Sequence, residues 1–579
     1  LRLSGRADGY HAESGLIEEI KTHRGDVARI PDAQRALHRA QLHAYGALHC
    51  RAQGLDTLTL RLTYYDIGSD RETREEACID AATLWSELGA LCEAYRDWHA
   101  QEQAHRKQRD RVLEGLKFPF AGFRSGQREL AESVYKSFCL GRNLMLQAPT
   151  GIGKTVGTLY PALMAMPRAG LDRIFYLTAR NTVRRLALEG LQHIILSQQK
   201  PVALRVLEFN ARLQSCEHPG RACHGESCPL AAGFFDRLPL ARAALVEIPG
   251  VFDQETLRRT ALEFELCPYY LAQEMTRWSD LVIADVNRYF DQSAILHALT
   301  VQNSWKSGLL VDEAHNLIDR ARGMYSAEML QSRLLAVKRS APEALRSALG
   351  RLGRKWSALM AENELNTSTE KGEPVQVQLA AIPTELCAVS HGVIADIMDY
   401  LSAHSADAQL QELLFELLGF LRLAEAFGEH SLCELSRPGR GKGRAAIQNL
   451  VPADFLSPRF AHAHACVMFS ATLSPADYHR DLLGLDREVH WQDVESPFAA
   501  EQLQVKVVSR ISTRLANRKA SALPIAGLVI EQYRRQAANY LVYFSSFAYL
   551  EAVFERFTAD HPDIPSWPQQ RGMGAEARR

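Results

Sequence analysis

The sequence lacks the long apolar segments of a membrane protein and the charged, then apolar, leader of a secreted one. No apolar run among its 579 residues approaches the roughly 18 residues that span a bilayer. It also lacks an excess of either charge, since 67 Lys and Arg stand against 68 Asp and Glu, for a formal net charge of -1. Affinity for nucleic acid would therefore have to come from local basic surfaces. We expect a cytoplasmic protein without a membrane partner.

The composition excludes wholesale disorder and a small disulfide-stapled fold. Hydrophobic residues make up 46% and charged residues 23% of the chain, near the averages of globular proteins. At roughly 150 residues per domain, the length predicts about four folding units. Four of the eleven cysteines are clustered, and the other seven stand singly and are expected to be reduced and packed: Cys50, Cys78, Cys92, Cys139, Cys387, Cys433 and Cys466.

Apolar strands alternate with amphipathic helices along most of the chain, which predicts an α/β fold with a parallel sheet. Two long interruptions, at about 206–278 and about 326–449, predict inserted subdomains, of which the second is rich in Leu, Ala and Glu at helical spacing. Near its end, the glycine-rich basic stretch 437–444 predicts a mobile loop. The strands are expected at 143–147, 173–177, 281–284, 308–311 and 465–469.

The first hundred residues form a separate pattern. Short strands at 16–22 and 57–65 flank a helical stretch at 33–49, and a long polar helix follows. The sequence opens within what is expected to be a strand. Pro119, between two phenylalanines, marks the boundary to the next unit.

A phosphate-binding loop lies between the strand at 143–147 and an apolar helix, which is the setting that a P-loop requires. Glycines let successive backbone N–H groups turn toward one point, and the following helix adds its positive end. We expect Lys154 to reach the β- and γ-phosphates of ATP, and the Thr155 hydroxyl to bind Mg²⁺. The loop consists of Ala148, where glycine is usual, Pro149, Thr150, Gly151, Ile152, Gly153, Lys154 and Thr155.

The second half of such a site is an acidic strand end. The apolar residues 309–311 lead into Asp312 and Glu313, and His315 follows. We expect Asp312 in the Mg²⁺ sphere and Glu313 to polarise the attacking water. The P-loop and this acidic pair together predict an ATP-hydrolysing motor.

The Asp-Glu-Ala-His sequence at 312–315 resembles the corresponding box of the superfamily-2 helicases, and further motifs agree in order and spacing. The resemblance implies that Arg124 and Gln127 bind adenine, that Thr178 and Arg180 grip the nucleic-acid backbone, and that Ser470 and Thr472 link the nucleotide site to the nucleic-acid groove. Residues 543–547 resemble the strand that opens a second motor domain.

Four cysteines lie in the first insertion, at Cys216, Cys223, Cys228 and Cys267, with 6, 4 and 38 residues between them. Four thiolates hold either tetrahedral Zn²⁺ or a [4Fe–4S] cluster. The wide, unequal spacing favours the cluster, because structural zinc usually takes ligands in tight pairs. Zinc and plain buried thiols remain as alternatives.

The quartet and its position resemble those of the XPD/DinG-type iron–sulfur helicases. This resemblance implies a RecA-like motor with cluster and arch subdomains that form a hole for single-stranded DNA, movement in the 5′-to-3′ direction, and a role for Asn287 beside the DNA. The implied domains are a nuclease-like unit at 1–104; a first motor domain at 112–205, 279–325 and 450–475; the cluster insertion at 206–278; the helical arch at 326–449; and the start of a second RecA-like domain at 476–579.

The amino-terminal unit carries a second set of polar residues. Strand alternation places Glu19 and Lys21 on one face. If Asp8 ends the neighbouring strand, it and Glu19 could share Mg²⁺ or Mn²⁺, with Lys21 stabilising the attacking water or a phosphate. With Gln41 and Tyr45 on the following helix, the set resembles PD-(D/E)xK nucleases of the RecB type, although a surface Glu and Lys on an edge strand would give part of the same pattern.

We therefore expect an ATP-dependent 5′-to-3′ DNA helicase of DNA repair or processing, acting on single-stranded or forked DNA and fused to a nuclease-like module. Both ends are expected to be truncated, and the arginine-finger motif of the family is missing, so slow ATP turnover and negligible unwinding are expected of these residues alone. The alternatives are an ATP-gated iron–sulfur DNA-binding or sensing module without unwinding activity, and an enzyme in which nucleolysis is the main activity. Protein partners are unknown.

Overall fold

The computed structural model describes residues 3–179, 181–221, 223, 225, 227–247, 250–365, 375–404, 408–437, 442–571 and 573. The chain divides into two compact units, Leu1–Glu495 and Ser496–Arg579. No helix among the described residues is both long enough and apolar enough to cross a bilayer.

The amino-terminal module is a four-stranded sheet with the order β1-β2-β3-β4, in which only β2 and β3 are parallel. The crossover helix α1 packs on it through Leu42, Ala47 and Cys50. The predicted strands and helix are confirmed to within a few residues, but residues 3–8 form no strand, and Leu1 lies outside the described part of the chain. The elements are β1 (Gly9–His11), β2 (Leu16–His23), α1 (Asp32–Gln53), β3 (Thr57–Asp66), β4 (Arg71–Asp80) and α2 (Ala81–Glu114).

The next elements begin the large α/β domain. They are α3 (Gln127–Leu140), β5 (Leu144–Gln147), α4 (Lys154–Ala169), β6 (Arg173–Thr178), α5 (Asn181–Leu196), β7 (Arg205–Phe209), α6 (Arg212–Ser215), α7 (Phe234–Val246), β8 (Gly250–Phe252), α8 (Gln254–Glu263), α9 (Pro268–Met275), β9 (Leu281–Asp285), α10 (Asn287–Phe290), α11 (Ile295–Gln302), β10 (Ser307–Asp312) and α12 (Leu317–Met324).

The second insertion then combines helices with a four-stranded antiparallel sheet of order β11-β14-β13-β12. The leucine-rich pattern predicts only the helices. The basic stretch 437–444, predicted as a loop, belongs to strands at both ends, because Arg437 is the last residue of β13 and Arg444 the first residue of β14. The Arg444 side chain forms an ion pair with Glu328 at 2.6 Å. Residues 438–441 lie outside the described residues. The elements are β11 (Ala327–Leu330), α13 (Gln331–Ser340), α14 (Glu343–Glu362), β12 (Val375–Leu379), α15 (Thr384–Ala403), α16 (Ala408–Glu425), β13 (Ser431–Arg437) and β14 (Arg444–Asn449).

The chain returns to the large α/β domain and completes an eight-stranded parallel sheet of order β16-β5-β15-β10-β6-β9-β7-β8. Every residue of β6, β10 and β15 is buried, as expected for parallel strands covered on both faces. Strands β7 and β8 show that the stretch assigned to the cluster insertion also extends this sheet. The returning elements are α17 (Ala453–Ala461), β15 (Ala465–Ser470), α18 (Ala476–Leu483) and β16 (His490–Asp493).

Helix α2 connects the amino-terminal module to the large α/β domain. Its second half lies against the amino ends of β6, β7 and β9, where buried Asp280 accepts hydrogen bonds from Arg109 Nη1 and the Arg205 backbone N–H, each at 2.9 Å, and contacts His105 Nε2 at 2.9 Å. Arg106 forms a partly exposed ion pair with Asp172 at 2.6 Å. The module is thus held by one buried and one partly exposed ion pair on the side of the sheet opposite to the strands' carboxyl ends.

The second unit contains α19 (Arg518–Arg535) and α20 (Phe547–Asp560), which pack through a small core that includes Ile530 and Phe557. The strand predicted at 543–547 does not form. Residues 541–544 pair with no strand in the described part of this unit, and Ser546 instead caps α20 by accepting a hydrogen bond from the Tyr549 N–H at 3.3 Å. A strand requires a hydrogen-bonded neighbour, and none is present among these residues.

Candidate active site

The carboxyl ends of four neighbouring strands carry the residues expected to bind nucleotide. Asp312 of β10 lies in register with Thr178 of β6 and with Phe469 of β15, and Ser470 of β15 lies in register with Gln147 of β5. The P-loop follows β5 directly. The acidic box and the P-loop therefore meet at one edge of the sheet, as the sequence predicts.

The P-loop is shaped by two glycines and anchored by two apolar residues. Gly151 and Gly153 both have φ of +86°, a conformation that favours glycine. Ala148 and Ile152 are fully buried in the core beneath the loop. Ala148 has no positive φ, so a methyl group is compatible with the position where glycine is usual. No side chain caps α4, whose first N–H groups remain available to an anion.

Lys154 lies at the start of α4, between the loop and the acidic box. Its Nζ donates hydrogen bonds to the carbonyl oxygens of Ala148 at 3.1 Å and Pro149 at 3.3 Å. Burial lowers the pKa of Lys154, whereas the nearby charges of Glu313 and Asp312 raise it. The Lys154 ammonium group therefore lies where it can bind a phosphate while it remains close to the acidic pair.

The acidic pair is held in a defined backbone conformation. Burial raises the pKa of Asp312 to about 6, although a hydrogen bond from Tyr176 acts in the opposite direction. Glu313 takes a left-handed conformation with φ of +51°, and its backbone N–H donates to Asp312 Oδ1 at 2.8 Å. A left-handed non-glycine residue is uncommon and is often found at functional sites.

Ser470 connects the acidic box to the end of β15. Its Oγ lies 2.6 Å from His315 Nδ1 and donates to Glu313 Oε2 at 3.3 Å. The backbone carbonyl of Ser470 accepts a hydrogen bond from the Ala148 N–H at 2.8 Å, and Thr472 N–H donates to its Oγ at 3.3 Å. One serine thus contacts the acidic box, the P-loop and the segment that follows β15.

The two residues expected to bind adenine contact the P-loop itself. Arg124 Nη1 donates to the Gly151 carbonyl at 2.5 Å, and Gln127 Nε2 donates to the Gly153 carbonyl at 3.1 Å. Both side chains therefore support the loop in this structure, and adenine binding by them stays a prediction.

The residues expected to contact DNA are distributed along the same edge. Thr178 is buried at the end of β6, and Asn287 begins α10, where its Oδ1 accepts a hydrogen bond from Arg320 Nη2 at 2.5 Å. Arg180 lies outside the described residues. Tyr289 and Phe290 are fully buried, so these two rings belong to the core and are not stacking platforms for bases.

The structure brings three of the four clustered cysteines together. Burial raises the pKa of the Cys267 thiol, and the nearby Cys216 and Cys223 raise it further. Cys267 is the N-cap residue of α9, and Cys216 ends α6. Among the described residues, however, no three ligand side chains have the arrangement of a metal site. The donor chemistry fits an iron–sulfur cluster or zinc, while the geometry of four ligands is not assembled.

The polar residues of the amino-terminal module form a chain of contacts. Lys21 Nζ lies 2.6 Å from Glu19 Oε1 and donates to Gln41 Oε1 at 3.0 Å, and Gln41 Nε2 donates to the Tyr45 hydroxyl at 2.9 Å. Glu19 is 3% exposed, and its Oε2 has no hydrogen-bond partner. Asp8 precedes β1, and its carboxylate accepts a hydrogen bond from the Ile20 N–H at 2.8 Å.

Three polar residues at the nucleotide site are not singled out by the sequence. Tyr176 donates to Asp312 Oδ2 at 2.5 Å, Gln147 Oε1 accepts hydrogen bonds from the Leu473 and Ser474 N–H groups, and His479 is buried near His315. Alternation along β6 does place Tyr176 on the same face as Thr178. Its contact with Asp312 depends on strand pairing, which the sequence pattern does not supply.

The fold and the site combine a P-loop with an acidic box at one edge of a parallel sheet. Residues 171–334, which run from β6 into α13, match the DEAD_2 family model. The acidic box lies within the matched residues, and the P-loop precedes them.

Three curated relatives are helicases. The chain is 23% identical over 256 residues to a regulator of telomere elongation helicase 1 homolog from Anopheles gambiae. The aligned residues make up 35% of this chain and 25% of that protein. It is 28% identical over 146 residues to the ATP-dependent DNA helicase CHL1 of Candida albicans, with 23% and 17% covered. It is 40% identical over 62 residues to a probable ATP-dependent helicase of Methanocaldococcus jannaschii, with 11% and 9% covered. The chain thus spans a quarter or less of each relative's length.

Solved structures of XPD also resemble the chain. An XPD helicase is 16% identical, with a TM-score of 0.47, 76% of this chain covered and 75% of that one. A truncated XPD is 14% identical, with a TM-score of 0.43 and 63% and 99% covered.

Proposed function

We propose that this protein is an ATP-dependent 5′-to-3′ DNA helicase or translocase of the XPD/DinG type that acts in DNA repair or processing. The observation that carries this proposal is the meeting of Lys154, Asp312 and Glu313 at one edge of the parallel sheet. The DEAD_2 match and the helicase relatives support it. The substrate is single-stranded or forked DNA, which passes between the cluster insertion and the arch insertion.

Each residue of the site has a defined task in this proposal. Lys154 and the free N–H groups of α4 bind the phosphates of ATP. Thr155 and Asp312 would hold Mg²⁺, whose charge would offset the charge that develops on the transferred phosphoryl group. Glu313 orients the attacking water. Ser470 transmits the state of the acidic box to the segment after β15, since it contacts both.

Nucleotide binding tests the site directly. A fluorescent ATP analogue should bind the protein in the presence of Mg²⁺, and Lys154→Ala should weaken that binding at least about ten-fold, since a charge-assisted contact contributes about 1.5–3 kcal/mol. Lys136→Ala, which changes an exposed lysine of α3, is the matched control and should bind as the parent does. Equal affinity for the ATP analogue in Lys154→Ala and in the parent would exclude the proposed site.

The direction of movement requires its own experiment. Any ATP-dependent displacement of a strand, even at the low level expected of these residues, should occur from duplexes with a 5′ single-stranded tail and not from those with a 3′ tail. Displacement confined to 3′ tails would contradict the proposed polarity. If ATP changes the affinity for DNA while DNA leaves even slow ATP hydrolysis unaltered, the sensing-module alternative is correct.

The cluster is part of the same proposal. Cys216, Cys223, Cys228 and Cys267 hold a [4Fe–4S] cluster that orders the insertion around them. Anaerobically purified protein should contain about four iron and four sulfide ions per chain, and serine at any of the four positions should lower both. Cys433→Ser changes a buried cysteine of the arch sheet and serves as the control. Zinc without iron or sulfide would overturn this assignment.

The amino-terminal module is a second candidate site, for metal-dependent phosphodiester cleavage. The contact chain from Glu19 through Lys21 and Gln41 to Tyr45 favours it, as does the unpartnered, buried Glu19 Oε2. Mn²⁺-dependent cleavage of single-stranded DNA should be lost in Glu19→Ala and retained in Glu13→Ala, which changes an exposed glutamate in the preceding turn. Unchanged cleavage in Glu19→Ala would exclude the site.

A further inference from the structure

The carboxylate of Asp312 is held at both oxygen atoms. Its Oδ1 accepts the backbone N–H of Glu313 at 2.8 Å, and its Oδ2 accepts the hydroxyl of Tyr176 at 2.5 Å. Each carboxylate oxygen has two acceptor positions, so both atoms retain one for a metal ion. The first contact is fixed by the backbone of the acidic box, whereas the second depends on a single side chain from the neighbouring strand.

Tyr176 is placed by strand pairing and by packing. Tyr176 of β6 lies in register with Leu310 of β10, two residues before Asp312, so that its ring reaches along the same face to the carboxylate. The residue is fully buried, and its ring packs against Phe469 with centroids 6.1 Å apart. The phenol therefore has little freedom to turn away from Asp312.

We propose that Tyr176 is a positioning residue that fixes the Asp312 carboxylate, one of the two ligands proposed for Mg²⁺, and so sets the Mg²⁺ concentration at which nucleotide binds. This inference rests on the proposed ATP site and deepens it. Hydrogen-bond partners of metal ligands typically contribute 10–100-fold to metal affinity, because they hold the ligand in the orientation that the metal requires. A purely structural tyrosine would instead affect stability without changing the Mg²⁺ requirement.

The variant Tyr176→Phe removes only the hydroxyl. We expect the Mg²⁺ concentration for half-maximal binding of a fluorescent ATP analogue to rise about ten-fold, while binding of the same analogue in excess EDTA stays as in the parent. Tyr325→Phe is the matched control, since Tyr325 is also buried and donates its hydroxyl, to the Phe290 carbonyl away from the nucleotide site. It should leave the Mg²⁺ midpoint unchanged.

An unchanged midpoint in Tyr176→Phe would overturn the inference and leave the ATP site intact. Absence of Mg²⁺-dependent nucleotide binding in the parent would instead overturn the proposed function, and the inference with it. If Tyr176→Phe does not fold, Tyr176→3-fluorotyrosine is the second variant. It keeps the ring and the hydroxyl but makes the hydroxyl a more acidic hydrogen-bond donor. The electron paramagnetic resonance spectrum of the Mn²⁺–nucleotide complex should then differ from that of the parent, and identical spectra would overturn the inference.

Discussion

Ser470 shows how one small side chain can couple separate parts of the site. Its hydroxyl contacts His315 and Glu313, and its backbone carbonyl accepts the Ala148 N–H of the P-loop. In the proposed function, a change in the acidic box on nucleotide binding or hydrolysis would reach the segment after β15 through these direct contacts. No long-range pathway has to be invoked for this step.

Replacing Ser470 with alanine should separate binding from coupling. The backbone contact to Ala148 remains, so we expect the dissociation constant for ATP to stay within about two-fold of the parent, while the lost hydrogen bonds cost about 1 kcal/mol of stability. The effect of ATP on the affinity for single-stranded DNA should disappear. Fluorescence titrations of nucleotide and of DNA measure both quantities, and intact coupling in Ser470→Ala would contradict this role.

Gly153 offers a second residue-scale prediction. Its φ of +86° is a strained backbone conformation for any residue other than glycine, and a Cβ at this position would lie 2.5 Å from Gln127 Nε2. We expect Gly153→Ala to cost more than the roughly 1–2 kcal/mol of the left-handed conformation and to weaken ATP binding at least about ten-fold. Nucleotide titration and denaturant unfolding measure the two effects.

Gly170 provides the matched control for that prediction. It ends α4 with φ of +63°, and a Cβ would meet nothing within 4 Å. Gly170→Ala should show the cost of the left-handed conformation alone, with unchanged nucleotide affinity. Equal effects of the two substitutions on ATP binding would show that the contact with Gln127 is irrelevant.

At the scale of elements, the attachment of α2 depends on Asp280. Burial raises the pKa of Asp280, but the hydrogen bond with His105 and the charge of Arg109 outweigh it and lower the pKa to about 2. A carboxyl group with a depressed pKa contributes stability above its unfolded value of 3.8 and loses that contribution as the pH falls through the folded value. The shift corresponds to about 2 kcal/mol, present at neutral pH and lost between about pH 4 and pH 2.

Asp280→Asn should therefore be strongly destabilising at neutral pH. Removing one partner of a buried ion pair typically costs about 3–5 kcal/mol, and it would leave buried Arg109 with only the partly exposed Asp110 as its counter-charge. Denaturant unfolding should show this loss in the free energy of unfolding at pH 7. Below pH 4 the difference in free energy of unfolding between Asp280→Asn and the parent should become smaller. Asp477→Asn, which changes a 79% exposed aspartate of α18, should have almost no effect. A pH-independent gap would contradict the assignment to Asp280 ionisation.

The sequence predicts those elements whose signal is local. The strands ending at Gln147, Thr178 and Ser470 follow from apolar runs, and the P-loop and acidic box follow from motifs at strand ends. The arch sheet is not predicted, because its strands pair residues far apart in sequence, such as Ala327 with Ile447. The strand expected at 543–547 fails for the related reason that apolar alternation does not supply a pairing partner.

The same distinction holds within the sites. Glu19 and Lys21 could be assigned to one face from alternation alone, and in the structure Lys21 Nζ lies 2.6 Å from Glu19 Oε1. Tyr176 and Asp280 could not be identified, because their partners lie 136 and 171 residues away along the chain. Arg124 and Gln127 were expected to face adenine, yet their contacts with the P-loop carbonyls arise from backbone geometry that a motif does not encode.

At the scale of the whole molecule, the two compact units differ in their content. Every residue assigned to nucleotide binding lies in Leu1–Glu495, with its own large cores. The unit Ser496–Arg579 has a small core and leaves large apolar side chains exposed, among them Val507 at 85% and Tyr543 at 85%. Exposed apolar segments of this kind are associated with partner binding or aggregation.

A protein that ends at Glu495 should therefore retain the nucleotide site and become more soluble. The P-loop, Tyr176, the acidic box and Ser470 are all present in it, and the last strand of the sheet, β16, ends at Asp493. We expect its affinity for Mg²⁺ and ATP to lie within about two-fold of the 579-residue protein, and its aggregation on heating to decrease, because the apolar side chains of the second unit are gone. Fluorescence titration and light scattering measure the two properties. A cooperative melting transition would establish that the shorter protein is folded. Loss of ATP binding by a folded 1–495 protein would contradict the prediction that residues 1–495 contain the whole nucleotide site.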